Sequence, residues 1–253
     1  LSFSASHNYA SRSPRLYESM LAPSRNIVTD PNLKAERSRT TEIGFNYRPI
    51  QDLSLSGSYF WQKINDVHDF TCLSGSCAGG RSTYTSGVTQ STNNGYIKNK
   101  GYELNANYRW QGLTARMGVA YSDPKHHYLF DSYDINTKAH AVGRTWTAGL
   151  AYRFDRPNLE IGWRGRFVQS RIGKPSRGAT ANEGTTEKRA GYGVNDIYAN
   201  WKPTGKDDLN INFAVNNIGN KYYYSHSQRS SSRSGNSLPE VGRDFRLAVN
   251  YKF

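Results

Sequence analysis

The side chains best suited to chemistry gather in a few stretches. Arg171, Lys174 and Arg177 lie close together, and the run Tyr222-Tyr223-Tyr224 is soon followed by Arg229 and Arg233. Cationic groups beside phenol rings make a lining for a ligand that is both anionic and aromatic, because the cations pair with its charge and the rings stack. His126-His127, followed by Tyr128, has the residue type that captures a metal or haem iron, although adjacent side chains usually point apart. His68 and His140 stand alone. Cys72 and Cys77 are the only cysteines. Such a close pair in a Gly/Ser-rich stretch is expected to form a small disulfide in an oxidising compartment, and no further metal ligand lies between them. Asp207-Asp208 sits in a short link and reads as a solvated turn, while Gly75 to Gly80 lacks the Lys-Ser/Thr ending of a phosphate loop. No catalytic constellation and no resident metal or cofactor are expected.

The elements that position these residues alternate with a period of two. Ten segments place apolar residues on one face and polar ones on the other. They begin at Leu1–Tyr9, Glu42–Arg48 and Leu53–Trp61, where Leu53, Leu55, Gly57, Tyr59 and Trp61 oppose three serines. Tyr102–Trp110, Leu113–Ser122, Thr145–Phe154 and Leu159–Phe167 follow. A weaker eighth segment spans Asp196–Trp201, and Leu209–Asn216 and Asp244–Phe253 complete the set. No stretch approaches the roughly 18 consecutive apolar residues of a membrane helix. A transmembrane β-strand needs only about 10 residues, of which alternate ones are apolar, so low mean hydropathy does not exclude a membrane.

A soluble sandwich also alternates, so three further features decide the fold class. Aromatics cluster near segment ends, as in Tyr59/Trp61, Tyr108/Trp110 and Tyr152/Phe154, the pattern of an interfacial girdle. Arg109, Arg164 and Arg246 sit within strands on the polar face, tolerable beside water and costly in a packed core. The links alternate between short ones (Pro49–Asp52, Gln111–Gly112, Asp155–Pro157, Pro203–Asp208) and long ones (Ser11–Arg39, Asp66–Lys100, Asp123–Arg144, Gln169–Tyr192, Lys221–Gly242). Short periplasmic turns and long outer loops are the rule in outer-membrane barrels. The fold class expected is an all-β transmembrane antiparallel barrel. Most of the net charge of +13 lies in the long links, which argues for an anion-attracting outer surface or lipopolysaccharide contact and against nucleic-acid binding.

Several motifs resemble those of TonB-dependent outer-membrane receptors. The run from Ser11 to Glu18 is similar to the family's F-R-A-P-x-L-x-E segment, with Ser11 in place of the aromatic. The run from Asp30 to Ser38 resembles N-P-N-L-K-P-E-x-S, and Glu42-Ile43-Gly44 follows as E-x-G. Asn99-Lys100-Gly101-Tyr102-Glu103 matches N-x-G-x-E. Val215 to Tyr222 resembles V-x-N-L-x-x-x-x-Y, and Gly242-Arg243-Asp244-Phe245 resembles G-R-x-F. The terminal Val249-Asn250-Tyr251-Lys252-Phe253 is similar to the aromatic-ended assembly signal. The second motif and the ending are also similar to those of FrpB/FetA-like ferric-siderophore receptors.

The resemblance implies that residues 1–253 form the C-terminal portion of a barrel of about 22 strands. The N-terminal strands, and the plug that contacts the TonB complex, lie outside this sequence. It further implies uptake of a ferric siderophore held by Arg171, Lys174, Arg177, Tyr222, Tyr223, Tyr224, Arg229, Arg233, His126 or His127. Two alternatives remain. One is a receptor for haem or another metal complex, although the haem receptors' histidine between the two Pro-containing motifs is missing from Arg15 to Leu33. The other is an autonomous ten-strand barrel protease of omptin type, for which Asp123, His126, His127 and Asp131 share one outer loop.

Overall fold

A computed structural model describes residues 1–19, 26–75, 87–129, 142–173, 187–206, 208–227 and 238–252. Apart from one short helix, α1 (Leu16–Ser19), every regular element is a strand. The first nine are β1 (Ser2–Arg12), β2 (Ile27–Thr29), β3 (Glu36–Ile50), β4 (Leu53–Asn65), β5 (His68–Ser74), β6 (Val88–Asn93), β7 (Tyr96–Trp110), β8 (Leu113–Ser122) and β9 (Lys125–His127). The rest are β10 (Thr145–Phe154), β11 (Leu159–Val168), β12 (Arg171–Gly173), β13 (Glu187–Arg189), β14 (Tyr192–Trp201), β15 (Leu209–Asn216) and β16 (Asp244–Tyr251).

One antiparallel sheet runs in the order β1-β3-β4-β7-β8-β10-β11-β14-β15-β16, with β9 added beside β7. All ten expected segments are present in sequential meander order. Among the described residues β1 and β16 each pair on one side only, so the ten strands do not close on one another.

Register aligns the apolar residues of every strand on one face. The cross-strand row Phe3–Phe45–Gly57–Leu104–Val119–Trp146–Phe167–Gly193 spans eight strands. A second row, Leu150–Trp163–Ile197–Val215–Phe245, spans the last five. Their large side chains are widely exposed, as Phe3, Leu104, Leu150 and Phe245 show. An exposed apolar band this continuous is the lipid-facing surface of an outer-membrane barrel. Glycines in the band lie under neighbouring rings: a Cβ on Gly57 would stand 2.6 Å from Phe45 and Leu104, and one on Gly193 would stand 2.9 Å from Phe167.

Two expectations change in extent. The eighth segment is a full ten residues rather than the short Asp196–Trp201. Its first half escapes an apolar search because Gly193 and Asn195 occupy the lipid-side positions; Phe167 covers one and Trp163 Nε1–H donates to the side-chain oxygen of the other at 3.1 Å. β3, β4 and β7 also run well past the apolar band, β3 and β7 taking in residues assigned to long loops. Above them, β2, β6 and β5 form a separate three-stranded sheet in which β2 and β6 are parallel. No described helix is long and apolar enough to cross a membrane, which has no bearing on strands.

Candidate functional site

Three clusters on the loop side and the polar face carry the chemistry. The first joins the two Pro-containing motifs. Arg12, at the outer end of β1, donates through Nε to Glu36 at 2.7 Å and through Nη1 to Glu18 at 2.9 Å. Glu18 also caps α1 by accepting the Arg15 N–H at 2.8 Å. His68, from β5, brings its Nδ1 to 3.1 Å from Arg12 Nη2 and 3.3 Å from Glu18, and its Nε2–H donates to the Lys34 carbonyl. Glu18 and His68 are almost completely buried. Two carboxylates around one guanidinium hold Arg12 firmly cationic. His68 is engaged in a structural network that ties β1, α1, β3 and β5 together.

The second cluster gathers three outer loops around His226, which is 1 % exposed. Its Nδ1 accepts the Gly143 N–H at 3.1 Å and its Nε2–H donates to the Ala190 carbonyl at 2.9 Å, so the geometry assigns the ring proton to Nε2. Tyr192 meets His226 edge-on and packs against Tyr223, with ring centroids 4.5 Å apart. Arg166 donates to the Tyr223 hydroxyl at 3.2 Å, and Arg189 donates to the His226 carbonyl. Burial raises the Tyr223 phenol above its ordinary pKa.

The third lies on the polar face of the sheet. Arg116 and Arg164 share a cross-strand row with Gly149 between them, and the row continues to Asp196. Gly149 leaves a concavity there, bordered by Arg116, Glu160, Arg164, Arg166, Asp196 and Tyr198. The Arg164 guanidinium sits over the Tyr198 ring at 4.6 Å, and that of Arg166 over Tyr192 at 5.7 Å. Arg246 borders an adjoining hollow. A wall of guanidinium groups beside phenol rings attracts an anion and offers it stacking surfaces.

The expected ligand residues are placed as follows. Tyr223 joins the buried cluster, while Tyr222 and Tyr224 are exposed, with hydroxyls 2.8 Å apart. This hydrogen bond raises the Tyr224 pKa. Arg171 is mostly covered: it pairs with Asp123 and donates to the Ser122 and Val142 carbonyls, an anchoring role between loops. His126 and His127 diverge, one donating to the Asn94 carbonyl at 2.8 Å and the other stacking on Tyr96. Lys174, Arg177, Arg229 and Arg233 lie outside the described residues. Cys72 is disulfide-bonded; the other cysteine, Cys77, lies outside the described residues. Among the described residues no three His, Cys, Asp or Glu side chains converge as a metal site. The sequence places Arg116, Arg164, Arg166 and Arg246 on the polar faces of their strands without assigning them a ligand role, and gives no sign of Tyr192, Tyr198 or His226. The available signal was parity: a charge opposite the apolar stripe of a membrane strand must face water.

The other motifs explain themselves at strand ends. A Cβ on Gly101 would strike the Tyr121 carbonyl oxygen and stand 2.6 Å from the Phe60 ring. Asn217, at positive φ, exchanges hydrogen bonds with the Lys221 backbone and donates its own N–H to the Asp196 carboxylate at 2.7 Å. Arg243 donates through Nε to the Ile218 carbonyl at 3.1 Å.

Comparison with known proteins agrees with this architecture. A family model described as "TonB dependent receptor-like, beta-barrel" matches residues 1–218. The structure is similar to that of the FrpB iron transporter from Neisseria meningitidis (F3-3 variant), with 49% identity and a TM-score of 0.81 over 99% of this chain and 36% of that one. Among curated proteins it resembles a hemin receptor of Yersinia enterocolitica, 26% identical over 89% of this chain and 31% of the receptor. It also resembles the TonB-dependent heme receptor A of Haemophilus ducreyi, 26% identical over 61% of this chain and 20% of that protein. The chain thus spans about a third or less of the relatives it matches. The family model covers most of the chain, whose strands follow one another in meander order, and the chain belongs to the TonB-dependent receptor β-barrel family of the bacterial outer membrane.

Proposed function

We propose that these strands form part of the wall and outer rim of a receptor that takes up a ferric siderophore across the outer membrane. The open edges of β1 and β16 support a larger barrel, because unpaired backbone groups in lipid cost several kcal/mol each. A plug outside this chain would fill the lumen and, pulled by the TonB complex, shift to pass the ligand inward.

The observation that carries the reading is the arginine–tyrosine wall on the polar face, Arg164 over Tyr198 and Arg166 beside Tyr192 and Tyr223, below the outer loops. An anionic iron chelate with aromatic arms would meet both charge and stacking surface there. The test is titration of the full-length receptor with ferric siderophores. Arg166→Ala and Arg164→Ala should each weaken binding by about tenfold to a hundredfold, one charge-assisted contact being about 1.5–3 kcal/mol. Unchanged titrations would remove the assignment.

A second reading, haem uptake, is favoured by the names of the Yersinia and Haemophilus relatives. In this chain His68 is engaged with Arg12, Glu18 and Lys34, and His127, stacked on Tyr96, shares the outward strand parity of Lys125, so neither offers haem a ligand inside the lumen. Hemin in the same titration separates the two readings.

A further inference from the structure

The lipid-side face changes character in layers as it rises past the membrane. Above the row containing Leu104 comes the row Ile43–Tyr59–Tyr102–Tyr121, an aromatic belt. The next row is His7–Thr41–Trp61–Lys100, and the one above it is Tyr9–Arg39–Lys63–Lys98–Lys125. Four cations therefore stand abreast on β3, β4, β7 and β9, all exposed. They share strand parity with Leu104 and so point away from the lumen and its arginine wall.

Like charges directly opposite on neighbouring strands repel, so this row is unfavourable in isolation. Only Lys125 has an ion pair among the described residues, with Asp123 at 3.3 Å. Arg39, Lys63 and Lys98 lie instead over tyrosine rings, Arg39 against Tyr9 and both lysines against Tyr96. The row lies two steps beyond the tyrosine belt, about 13 Å of strand or roughly 10 Å of height at the usual strand tilt. That is just beyond the polar headgroup layer, which adds about 5–8 Å to each side of the hydrocarbon, and within reach of long cationic side chains that bend back toward it.

We propose that Arg39, Lys63, Lys98 and Lys125 form a docking surface for the phosphate groups of the phosphorylated glycolipid of the outer leaflet. A polyanion lying along the row would relieve the repulsion between neighbours, while its acyl chains would lie against the apolar band beneath. Lys100, one step lower beside Trp61, extends the cationic surface toward the hydrocarbon boundary.

The test uses the full-length receptor in detergent with two probes, bisphosphorylated lipid A and chemically dephosphorylated lipid A. The receptor should prefer the bisphosphorylated form by at least about tenfold, and rising salt should erode the preference. The variant Arg39→Gln/Lys63→Gln/Lys98→Gln/Lys125→Gln should lose it; should that variant not fold, Lys63→Gln/Lys98→Gln should halve the preference or more. Ferric-chelate binding by the same variants, on the opposite face, should be unchanged. Equal affinity for both lipids in the unaltered receptor, a preference that survives in the variants, or full displacement of lipid A by inorganic phosphate would each overturn the proposal.

Discussion

Glu18 and His68, fifty positions apart, meet at 3.3 Å with both side chains almost wholly withdrawn from water. The contact works because Arg12 reaches Glu18, Glu36 and His68 at once. Replacing Arg12 by Ala would leave Glu18 and Glu36 without their shared guanidinium, which is itself about a third exposed, a loss of about 1–3 kcal/mol. Amide hydrogen exchange should show lost protection in residues 13–19 and 67–70, while the strands of the wall stay protected. Glu18→Gln should be milder, because Arg12 keeps Glu36.

His226→Phe keeps the ring against Tyr192 but removes both of its hydrogen bonds. The Gly143 N–H loses its acceptor and the Ala190 carbonyl its donor. A buried group left unsatisfied costs about 1–3 kcal/mol. Exchange at the Gly143 amide should therefore accelerate by roughly tenfold to a hundredfold.

Gly101→Ala should fail at assembly. The added methyl meets a backbone carbonyl, that of Tyr121, which cannot move without disturbing the β7–β8 ladder. The yield of heat-modifiable folded barrel should fall severely. Gly149→Ala, whose Cβ would make only ordinary van der Waals contacts, the nearest being the Trp163 carbonyl oxygen at 3.6 Å, should fold normally.

Asp30 sets a pH dependence. The Thr92 hydroxyl at 2.6 Å, then the Asn32 N–H, hold its carboxyl below the ordinary carboxylate value. A depressed folded value means the stabilisation is fully present above the unfolded pKa of about 3.9 and is lost as pH falls through the folded one. Pepsin should therefore cut the segment around Asp30 faster below about pH 4. Asp30→Asn should show much less of this acid sensitivity.

What was legible in the sequence follows from lipid. Where a strand touches hydrocarbon, every second residue must be apolar, and the ten segments could be traced from that alone. The signal failed where lipid stops dictating. β14 begins with Gly193 and Asn195 toward the membrane, and β3, β4 and β7 continue outward with Arg39, Lys63 and Lys98 on the same face. The strands β2, β5 and β6 are brief and mixed in polarity, with Ile27 and Phe70 buried, so no periodicity betrays them. His226 carries no spacing signal; only the folded loops reveal that its two nitrogens join Gly143 to Ala190. Among the described residues expected to bind ligand, only Tyr223 lies beside the arginine wall, because loop proximity to the rim does not set side-chain direction.

The most direct measurement is spin-label accessibility on the full-length receptor in bilayers, with labels placed singly at Leu104, Leu150 and Val249 and at their neighbours Asn105, Gly149 and Asn250. Labels at the first three positions should be relaxed by oxygen dissolved in the lipid, and labels at the second three by a water-soluble nickel chelate. If both sets responded alike, or if the apolar set proved shielded from both reagents, the strands would not line a barrel wall and the account would be wrong.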